Sequence, residues 1–317
     1  MEYINHTLDI HIEEATVITF GKFDGLHRGH ELLMEEMKSL ARSRKLRTVV
    51  FTFDIPPRKQ VDGSEAKVLT TNEEKRLIFE ECGVDYLIEC PFTPEVMHMQ
   101  PEYFLDWIVK SLHVKAIVTG TDFRFGYRRG GDYQLILDCQ EKLGYEAHIM
   151  EKIREDERDI SSTFVREEIA AGHLEKANHL LGYDYFIKSK VVHGKALGRR
   201  IGIPTINMIL PPEKLLPPRG VYVTRVDLDG RRYRAVSNVG NKPTVGAGNP
   251  MGVETHILDY EGDLYGEVIT VSFLHFLRPE QRFADVEALQ KQMEADIRTA
   301  AAWIESNEPS DAAGIVF

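Results

Sequence analysis

The chain has 317 residues, of which 43% are apolar and 28% charged, and its formal net charge is −11 at pH 7. This length predicts about two domains, and this composition is typical of an ordinary globular protein. The negative charge disfavours binding to nucleic acid or to an acidic membrane, and no apolar run approaches the roughly 20 residues that span a bilayer. The acidic N-terminus lacks a signal-peptide pattern, and the three cysteines, Cys82, Cys90 and Cys139, form no CxxC motif. We therefore expect a cytoplasmic protein without a disulfide framework.

Strand-like and helix-like segments alternate through the first half of the chain. A β-branched run at 16–20 precedes a segment with helical apolar spacing at 30–44. Further strands are predicted at 47–53, 85–90, 115–120 and 146–150, and further helices at 71–83, 101–112 and 133–143. Strands separated by helices of this length predict a parallel sheet that is covered on both faces.

The pattern changes near Tyr185. From there to Phe276, short β-branched segments are separated by glycine and proline, and Asp229-Gly230 forms a strong two-residue hairpin signal. These features predict a small antiparallel barrel. A last helix is predicted over about 284–305, with Val286 and Ile304 on one apolar stripe. We place the domain boundary so that the two domains span 1–184 and 185–317.

The sequence GKFDGLHRGH joins the first predicted strand to a helix and places His27 and His30 three residues apart. Three interpretations compete: a metal site, a structural pair that caps the turn, and a phosphate site. A metal site needs a third ligand, and no carboxylate or cysteine follows at the spacing of zinc enzymes. The strand–helix junction favours phosphate, because ligands bind at the carboxyl ends of parallel strands and helix N-termini attract anions.

A second glycine-rich segment, VVHGKALGRRIGIPTINM, matches neither the Walker A loop nor the dinucleotide fingerprint. Its plain interpretation is a loop between strands. However, Thr205 and Asn207 share one face of an extended strand and offer neutral oxygens of the kind that a Mg²⁺–ATP complex accepts. In the later strand VETHIL, Glu254 and His256 share a face, so Glu254 is either a solvated side chain or a general base.

These motifs also carry a resemblance to known families. GKFDGLHRGH followed by ISSTFVREEI is similar to the two signature elements of the nucleotidyltransferase superfamily. Six later segments are similar to motifs of the riboflavin kinase domain. They are the glycine loop that leads into PTIN, PPRGVY, VSNVGNKPTVG, VETH, DLYG and LRPEQRF. With LTTNEEKRL and VTGTDFRFGYRRGGD, nearly the whole chain resembles the bacterial bifunctional riboflavin kinase/FMN adenylyltransferases. It departs from them at Lys22, where the family often has asparagine, and in TFDIPPR, which lacks a histidine between the prolines.

The resemblance implies an α/β nucleotidyltransferase domain with a Rossmann-like sheet, followed by a small antiparallel β-barrel kinase domain with a C-terminal helix. The barrel domain would phosphorylate riboflavin to FMN, and the first domain would adenylylate FMN to FAD with release of pyrophosphate. Both reactions would use ATP, and Mg²⁺ is the implied cofactor.

The resemblance also implies site residues. Glu254 would accept the proton of the riboflavin hydroxyl, and His27 and His30 would stabilise charge on the transferred phosphate. The implied ATP-binding residues are Gly21, Phe23, Asp24, Gly25, His27, His30, Asp122, Ser162, Thr163, Arg166, Gly194, Lys195, Gly198 and Thr205. Thr205 and Asn207 would hold Mg²⁺. The implied flavin-binding residues are Phe53, Pro57 and Arg278.

Three rival functions stay open at this point. The chain could adenylylate another phosphorylated acceptor, although the kinase motifs argue against this. It could be a riboflavin kinase with an inactive first domain, although both nucleotidyltransferase elements are intact, or a flavin-sensing regulator rather than an enzyme. Some members of the family self-associate, so a homo-oligomer is one expectation for the assembly.

Overall fold

The computed structural model describes residues 1–54, 67–194, 197–241 and 251–307. The chain forms two compact units that divide between Ser162 and Thr163. The first contains a parallel α/β sheet, and the second contains a closed antiparallel barrel followed by a helix. The predicted fold class is confirmed.

The first unit is built on one six-stranded sheet and two short hairpins. The sheet strands are β1 (Glu2–Asn5), β2 (Thr16–Phe20), β3 (Arg47–Phe53), β4 (Tyr86–Cys90), β5 (Val114–Gly120) and β8 (Glu146–Met150). The hairpin strands are β6 (Arg124–Phe125), β7 (Gly131–Asp132), β9 (Arg154–Glu155) and β10 (Arg158–Asp159). The sheet order is β1-β4-β3-β2-β5-β8, and every neighbouring pair is parallel. After β2, the chain adds β3 and β4 on one side of β2 and then β5 and β8 on its other side. Open α/β sheets bind ligands where the strand order reverses in this way, here between β2 and β5.

Helices cover both faces of this sheet. They are α1 (Arg28–Arg44), α2 (Asn72–Glu81), α3 (Pro94–Met97), α4 (Pro101–Ser111) and α5 (Tyr133–Leu143). The apolar side of α1 buries Leu33, Met34, Met37 and Leu40. The opposite face of the sheet carries a core rich in aromatic rings, including Phe20, Phe51 and Phe104. The predicted helices and strands are confirmed to within a few residues, but β1 was not predicted, because its four residues carry no clear alternation.

The second unit begins with two helices, α6 (Ser162–Ala171) and α7 (Leu174–Leu181), of which α6 starts one residue before the division. The closed barrel has the order β11-β12-β15-β14-β13-β16. Its strands are β11 (Phe186–Val192), β12 (Ile206–Ile209), β13 (Gly220–Leu228), β14 (Arg231–Asn241), β15 (Met251–Ile257) and β16 (Val268–Arg278). A short helix, α8 (Leu197–Arg200), interrupts the glycine-rich segment that was predicted as a loop between strands.

The predicted hairpin between β13 and β14 is confirmed. Asp229 and Gly230 have φ angles of 50° and 72°, as a type I′ turn requires. The last helix, α9 (Val286–Asn307), packs on the barrel through Ala300 and Ile304. The predicted apolar stripe is wrong at Val286, which is 49% exposed at the start of the helix.

Candidate active sites

The histidine turn, residues 21–30, leads from β2 into α1. His27 occupies the N-cap position of α1, and its carbonyl oxygen accepts hydrogen bonds from the backbone N–H groups of His30 at 2.7 Å and Glu31 at 3.2 Å. This first helical turn stacks the two imidazole rings, with centroids 3.9 Å apart and planes 22° apart. The pair therefore lies at a helix N-terminus, where the helix dipole favours an anion.

Phe23 lies beneath the histidines. Its side chain is fully buried, and its ring contacts the rings of His30 and Phe79 at centroid distances of 5.1 and 5.3 Å. A Cβ atom at Gly21 would lie 2.8 Å from the Phe23 ring, so a larger residue does not fit there without a shift. Gly21 and Phe23, which were both predicted to bind ATP, thus pack against each other, and the Phe23 ring packs against His30.

Asp24 and Gly25 tie the turn to the segment before α2. The Oδ1 atom of Asp24 accepts hydrogen bonds from the backbone N–H groups of Leu69 at 2.7 Å and Thr70 at 3.0 Å. The backbone N–H of Gly25 donates to the Thr70 hydroxyl at 3.0 Å. Gly25 has a φ of 63°, a left-handed conformation that favours glycine. The motif LTTNEEKRL thus anchors the histidine turn, a role that the sequence did not reveal.

Burial sets the protonation of both histidines. It lowers the pKa of His27 to about 4, and burial together with the neighbouring His27 lowers the pKa of His30 well below its usual value. Within the described ranges, the Nδ1 atoms of the two rings have no hydrogen-bond partner. Near neutral pH both rings are therefore uncharged, and each has one N–H group to donate.

Two charged groups act on the His27 ring. The carboxylate of Asp122, two residues after β5, raises the pKa of His27, and the ammonium of Lys152, two residues after β8, lowers it. The Lys152 Nζ atom lies 3.2 Å from Asp122 Oδ2 and 3.1 Å from Asp159 Oδ2. The structure thus joins the predicted residue Asp122 to the histidine site. Lys152 was not predicted, although its place just beyond a parallel strand is a signal that could have indicated it.

The second nucleotidyltransferase element begins helix α6. Ser162 is its first residue, Thr163 is exposed, and Arg166 is half-buried. Phe164, Val165 and Ile169 are the buried residues of this helix. Because the two units divide between Ser162 and Thr163, the predicted phosphate role of this element rests on the resemblance.

The predicted flavin residues lie in different surroundings. Phe53 ends β3 and packs against Phe92, with ring centroids 4.8 Å apart. Pro57 lies outside the described residues. Arg278 ends β16 and forms a two-pronged ion pair with the buried Asp296 of α9, from Nε at 2.9 Å and from Nη2 at 2.7 Å. This ion pair connects the barrel to its last helix, a contact that the sequence did not predict.

A polar row crosses three strands of the barrel. Asn207 of β12 is paired with Glu254 of β15, and Glu254 is paired on its other side with Asn238 of β14. Residues directly opposite each other share a face and have Cβ atoms about 5 Å apart. In β15, Val253, Thr255 and Ile257 are buried whereas Glu254 and His256 are half-buried, which confirms the predicted faces of this strand.

The sequence did not identify Asn238 as part of this row. The Nδ2 atom of Asn238 donates to Glu280 Oε1 at 3.3 Å, which extends the row to the segment after β16. Both residues lie in motifs that carried the resemblance, VSNVG and LRPEQRF. Their proximity depends on strand order, which a single sequence does not disclose.

The glycine-rich segment lies over one end of the row. A Cβ atom at Gly194 would lie 2.7 Å from Asn207 Cγ, and one at Gly198 would lie 3.3 Å from Thr205 Oγ1 and closer still to the carbonyl oxygen of Ile203. Side chains at these glycines would fill the space beside Thr205 and Asn207. The structure thus brings four predicted residues together with Glu254, while Lys195 lies outside the described residues.

The donor set here suits a hard divalent cation. The Thr205 hydroxyl and the Asn207 amide oxygen are neutral oxygens, and Mg²⁺ usually combines one or two protein oxygens with substrate phosphates and water. In the described part of the chain, no group of three or more histidine, cysteine, aspartate or glutamate side chains could hold a metal ion. The two neutral oxygens of Thr205 and Asn207 fit a metal that takes its other ligands from ATP and water.

Comparison with known proteins matches both halves of the chain. The family model for FAD synthetase matches residues 9–164, and the model for riboflavin kinase matches residues 181–304. A curated bifunctional riboflavin kinase/FMN adenylyltransferase from Escherichia coli is 37% identical over 308 residues, which cover 96% of this chain and 98% of the relative. The chain belongs to the bifunctional riboflavin kinase/FMN adenylyltransferase family. Enzymes of the same name from Listeria monocytogenes and Bacillus subtilis are 34% and 32% identical over 93% and 94% of this chain, and over 95% and 96% of those enzymes.

The fold of this family member is also found among solved structures. A crystal structure described as a macrolide-efflux protein from Streptococcus pneumoniae has a TM-score of 0.85 and 28% identity. It covers 98% of this chain and 100% of that protein. Of the helices that the structure describes, none has the length and apolar character to cross a membrane.

Proposed function

We propose that this member of the bifunctional family uses two separate sites for its two reactions, with riboflavin phosphorylation at the barrel and FMN adenylylation at the histidine turn. The observation that carries this division is the distribution of the groups: the histidine pair lies in the first unit, and the Glu254 row lies in the second. The functional division into 1–184 and 185–317 is part of the proposal; what supports two consecutive domains is that the two family models match separate parts of the chain, residues 9–164 and 181–304.

At the histidine turn, FMN needs no general base, because its phosphate is already an anion. An oxygen of that phosphate forms a bond to the α-phosphorus of ATP. The bond from this phosphorus to the α,β-bridging oxygen breaks, and its electron pair leaves on pyrophosphate. The neutral rings of His27 and His30 donate hydrogen bonds to the oxygens of the transferred group. Ser162, Thr163 and Arg166 hold the leaving phosphates in this proposal, a role supported by the resemblance.

At the barrel, Glu254 accepts the proton of the riboflavin 5′-hydroxyl. The hydroxyl oxygen forms a bond to the γ-phosphorus of ATP, and the bond from that phosphorus to the β,γ-bridging oxygen breaks, with its electron pair leaving on ADP. Asn207 and Asn238 lie directly opposite Glu254 on its two neighbouring strands. Thr205 and Asn207 would hold Mg²⁺, which neutralises phosphate charge when bound. Gly194, Lys195 and Gly198 would lie against the phosphates.

The remaining assignments extend this proposal. Phe53, Pro57 and Arg278 are proposed flavin contacts, and ATP, riboflavin and FMN are the substrates. We place the enzyme in the cytosol, a proposal supported by its use of ATP and by the free cysteines Cys82, Cys90 and Cys139. Self-association stays a prediction from the family.

The test of this division is chromatography of flavins after incubation with ATP and Mg²⁺. We expect the double variant His27→Ala, His30→Ala to make FMN from riboflavin but little FAD. We expect Glu254→Gln to fail to phosphorylate riboflavin but to convert added FMN to FAD, with a loss of about 10²- to 10⁴-fold in the kinase rate. The exposed His11 and Glu261, changed to alanine and glutamine, are matched controls that should retain both activities.

The pattern of losses decides among the alternatives. If each folded variant loses both activities, the proposed division is wrong. If the wild-type chain binds flavin but makes neither product, the flavin-sensing regulator is the better interpretation. If it makes FMN but no FAD, the first domain lacks the proposed activity.

A further inference from the structure

The histidine site has a charge requirement that its two histidines do not meet. On the function proposed above, this site must stabilise negative charge on the transferred phosphate and on the leaving pyrophosphate. His27 and His30 are neutral near pH 7, because burial lowers their pKa values. Neutral rings donate hydrogen bonds but supply no net positive charge, and Arg166 is assigned to the leaving phosphates, so a cationic side chain near His27 is the next group to seek.

Lys152 is such a cation, and the structure fixes its position. It follows β8, the neighbour of β5, so it extends from the carboxyl edge of the sheet where the histidine turn also begins. Its Nζ atom lies between two carboxylates, 3.2 Å from Asp122 and 3.1 Å from Asp159. Burial lowers the pKa of Lys152, but its hydrogen bonds to Asp159 and Asp122 outweigh this effect and raise the pKa overall. Lys152 is therefore positively charged near neutral pH.

The backbone holds the segment of Lys152 beside the histidine turn. The N–H of Ile160, next to Asp159, donates to the carbonyl oxygen of Ile153, next to Lys152, at 2.9 Å. The carbonyl oxygen of Ile160 lies 3.7 Å from the point where a Cβ of Gly29 would stand, and His27 Nδ1 lies 3.1 Å from the same point. The β9–β10 hairpin and the first turn of α1 are therefore close neighbours, and Lys152 lies at their junction.

The ammonium is held in place and also accessible. The side chains of Lys152, Asp122 and Asp159 are 36%, 65% and 45% exposed. Ion pairs this exposed contribute little to stability, so Lys152 can exchange a carboxylate for a phosphate oxygen at small cost. Lysine binds phosphate as a point charge and does not require the fixed geometry of an arginine fork.

We propose that Lys152 is a catalytic residue of FMN adenylylation, which contacts the triphosphate of ATP and stabilises the charge that moves from the α-phosphate to pyrophosphate. The ammonium stays protonated throughout the reaction and exchanges no atom with the substrate. Asp122 and Asp159 hold it in reach of the phosphates before ATP binds.

The experiment measures conversion of FMN to FAD over a range of ATP concentrations, in the full-length chain, for Lys152→Met and Lys152→Arg. We expect Lys152→Met to lower kcat/KM for this reaction by about 10- to 100-fold, the range for the loss of one charged hydrogen bond, and Lys152→Arg to recover most of it. Lys110→Met is the matched control, because Lys110 is an exposed lysine of the same unit that pairs with Asp106 at 2.7 Å. Trp107 fluorescence in a Trp303→Phe background reports that the first unit, which holds Lys152, is folded in each variant, and phosphorylation of riboflavin reports the same for the second unit.

Two results would overturn the assignment of Lys152. One is a Lys152→Met variant with wild-type FAD synthesis, and the other is a Lys152→Arg variant as defective as Lys152→Met, since the positive charge is then not what matters. Failure of the proposed function is recognised separately: in that case the wild-type chain makes no FAD, or the His27→Ala, His30→Ala variant makes as much as the wild type.

Discussion

The imidazole rings of His27 and His30 stack with their centroids 3.9 Å apart, at the N-terminus of α1 and above the buried ring of Phe23. Two protonated imidazoles at this distance would repel each other in a site that has little water to screen them. The stack is therefore compatible with neutral rings, and this has a consequence for stability as well as for catalysis.

The first prediction concerns acid destabilisation through His27. In the folded chain burial lowers the pKa of His27 to about 4, whereas an unfolded histidine titrates near 6.5, so the unfolded state binds more protons between these values. The stability that neutral His27 contributes is present above about pH 6.5 and is lost as the pH falls towards 4. We expect this residue alone to lower the free energy of unfolding by about 2 kcal/mol between pH 7 and pH 5.

The measurement compares urea unfolding of the wild type and His27→Asn at pH 7 and pH 5. Trp107 lies in the first unit and Trp303 in the second, so Trp303→Phe in both proteins makes fluorescence report on the unit that holds His27. Unfolding free energies that fall equally in both proteins would show that His27 is not the group responsible.

The second prediction concerns the glycine-rich segment of the barrel. A Cβ at Gly198 would collide with the backbone carbonyl of Ile203 and crowd Thr205, so Gly198→Ala must displace the segment that lies over Thr205 and Asn207. We expect kcat/KM for riboflavin phosphorylation to fall by about 100-fold, as for other small displacements of catalytic groups, while FMN adenylylation is unchanged.

Gly230→Ala is the control for this loss. Gly230 has a φ of 72° in the β13–β14 hairpin, and a Cβ there meets no atom within 4 Å. Alanine in this left-handed conformation should lower the free energy of unfolding by about 1 kcal/mol but should not slow either reaction. Normal kinase activity in Gly198→Ala would show that the segment does not act on the site in the way we describe.

The two sites differ in how much of them could be predicted from sequence. A strand has a period of two residues, so the common face of Glu254 and His256 could be assigned without a structure, whereas Thr205, which was predicted to share a strand face with Asn207, lies one residue before β12. The helical period of 3.6 residues likewise places His27 and His30, three positions apart, on one side of a helix start. The pairing of Glu254 with Asn238 depends on strand order, which local periodicity does not give, whereas the place of Lys152 just beyond a parallel strand could have indicated it.

Arg278 shows a second limit of sequence reasoning. The motif LRPEQRF indicated a flavin contact, but the sequence contains no sign that Arg278 pairs with Asp296, eighteen positions later on a different element. Asp296 also explains why the buried side of α9 is not purely apolar, since its carboxylate accepts from Gln292 at 2.9 Å as well as from Arg278. A charged residue on a helix is usually assigned to the solvated face, and here tertiary pairing reverses that assignment.

The last prediction separates the structural role of Arg278 from the proposed flavin contact. Asp296 is 7% exposed and Arg278 is 19% exposed, so loss of either partner leaves a poorly hydrated charge. We expect Arg278→Met and Asp296→Asn each to lower the unfolding free energy by about 3 kcal/mol, and the double variant to lose much less than the sum. Trp303 fluorescence in a Trp107→Phe background follows the unfolding of this unit.

The same variants test the proposed flavin contact. If Arg278 also binds flavin, Arg278→Met raises the KM for riboflavin whereas Asp296→Asn leaves it near the wild-type value. Equal KM values in the two variants would show that Arg278 does not contact flavin. Losses of unfolding free energy that add up in the double variant would show that the ion pair does not link β16 to α9.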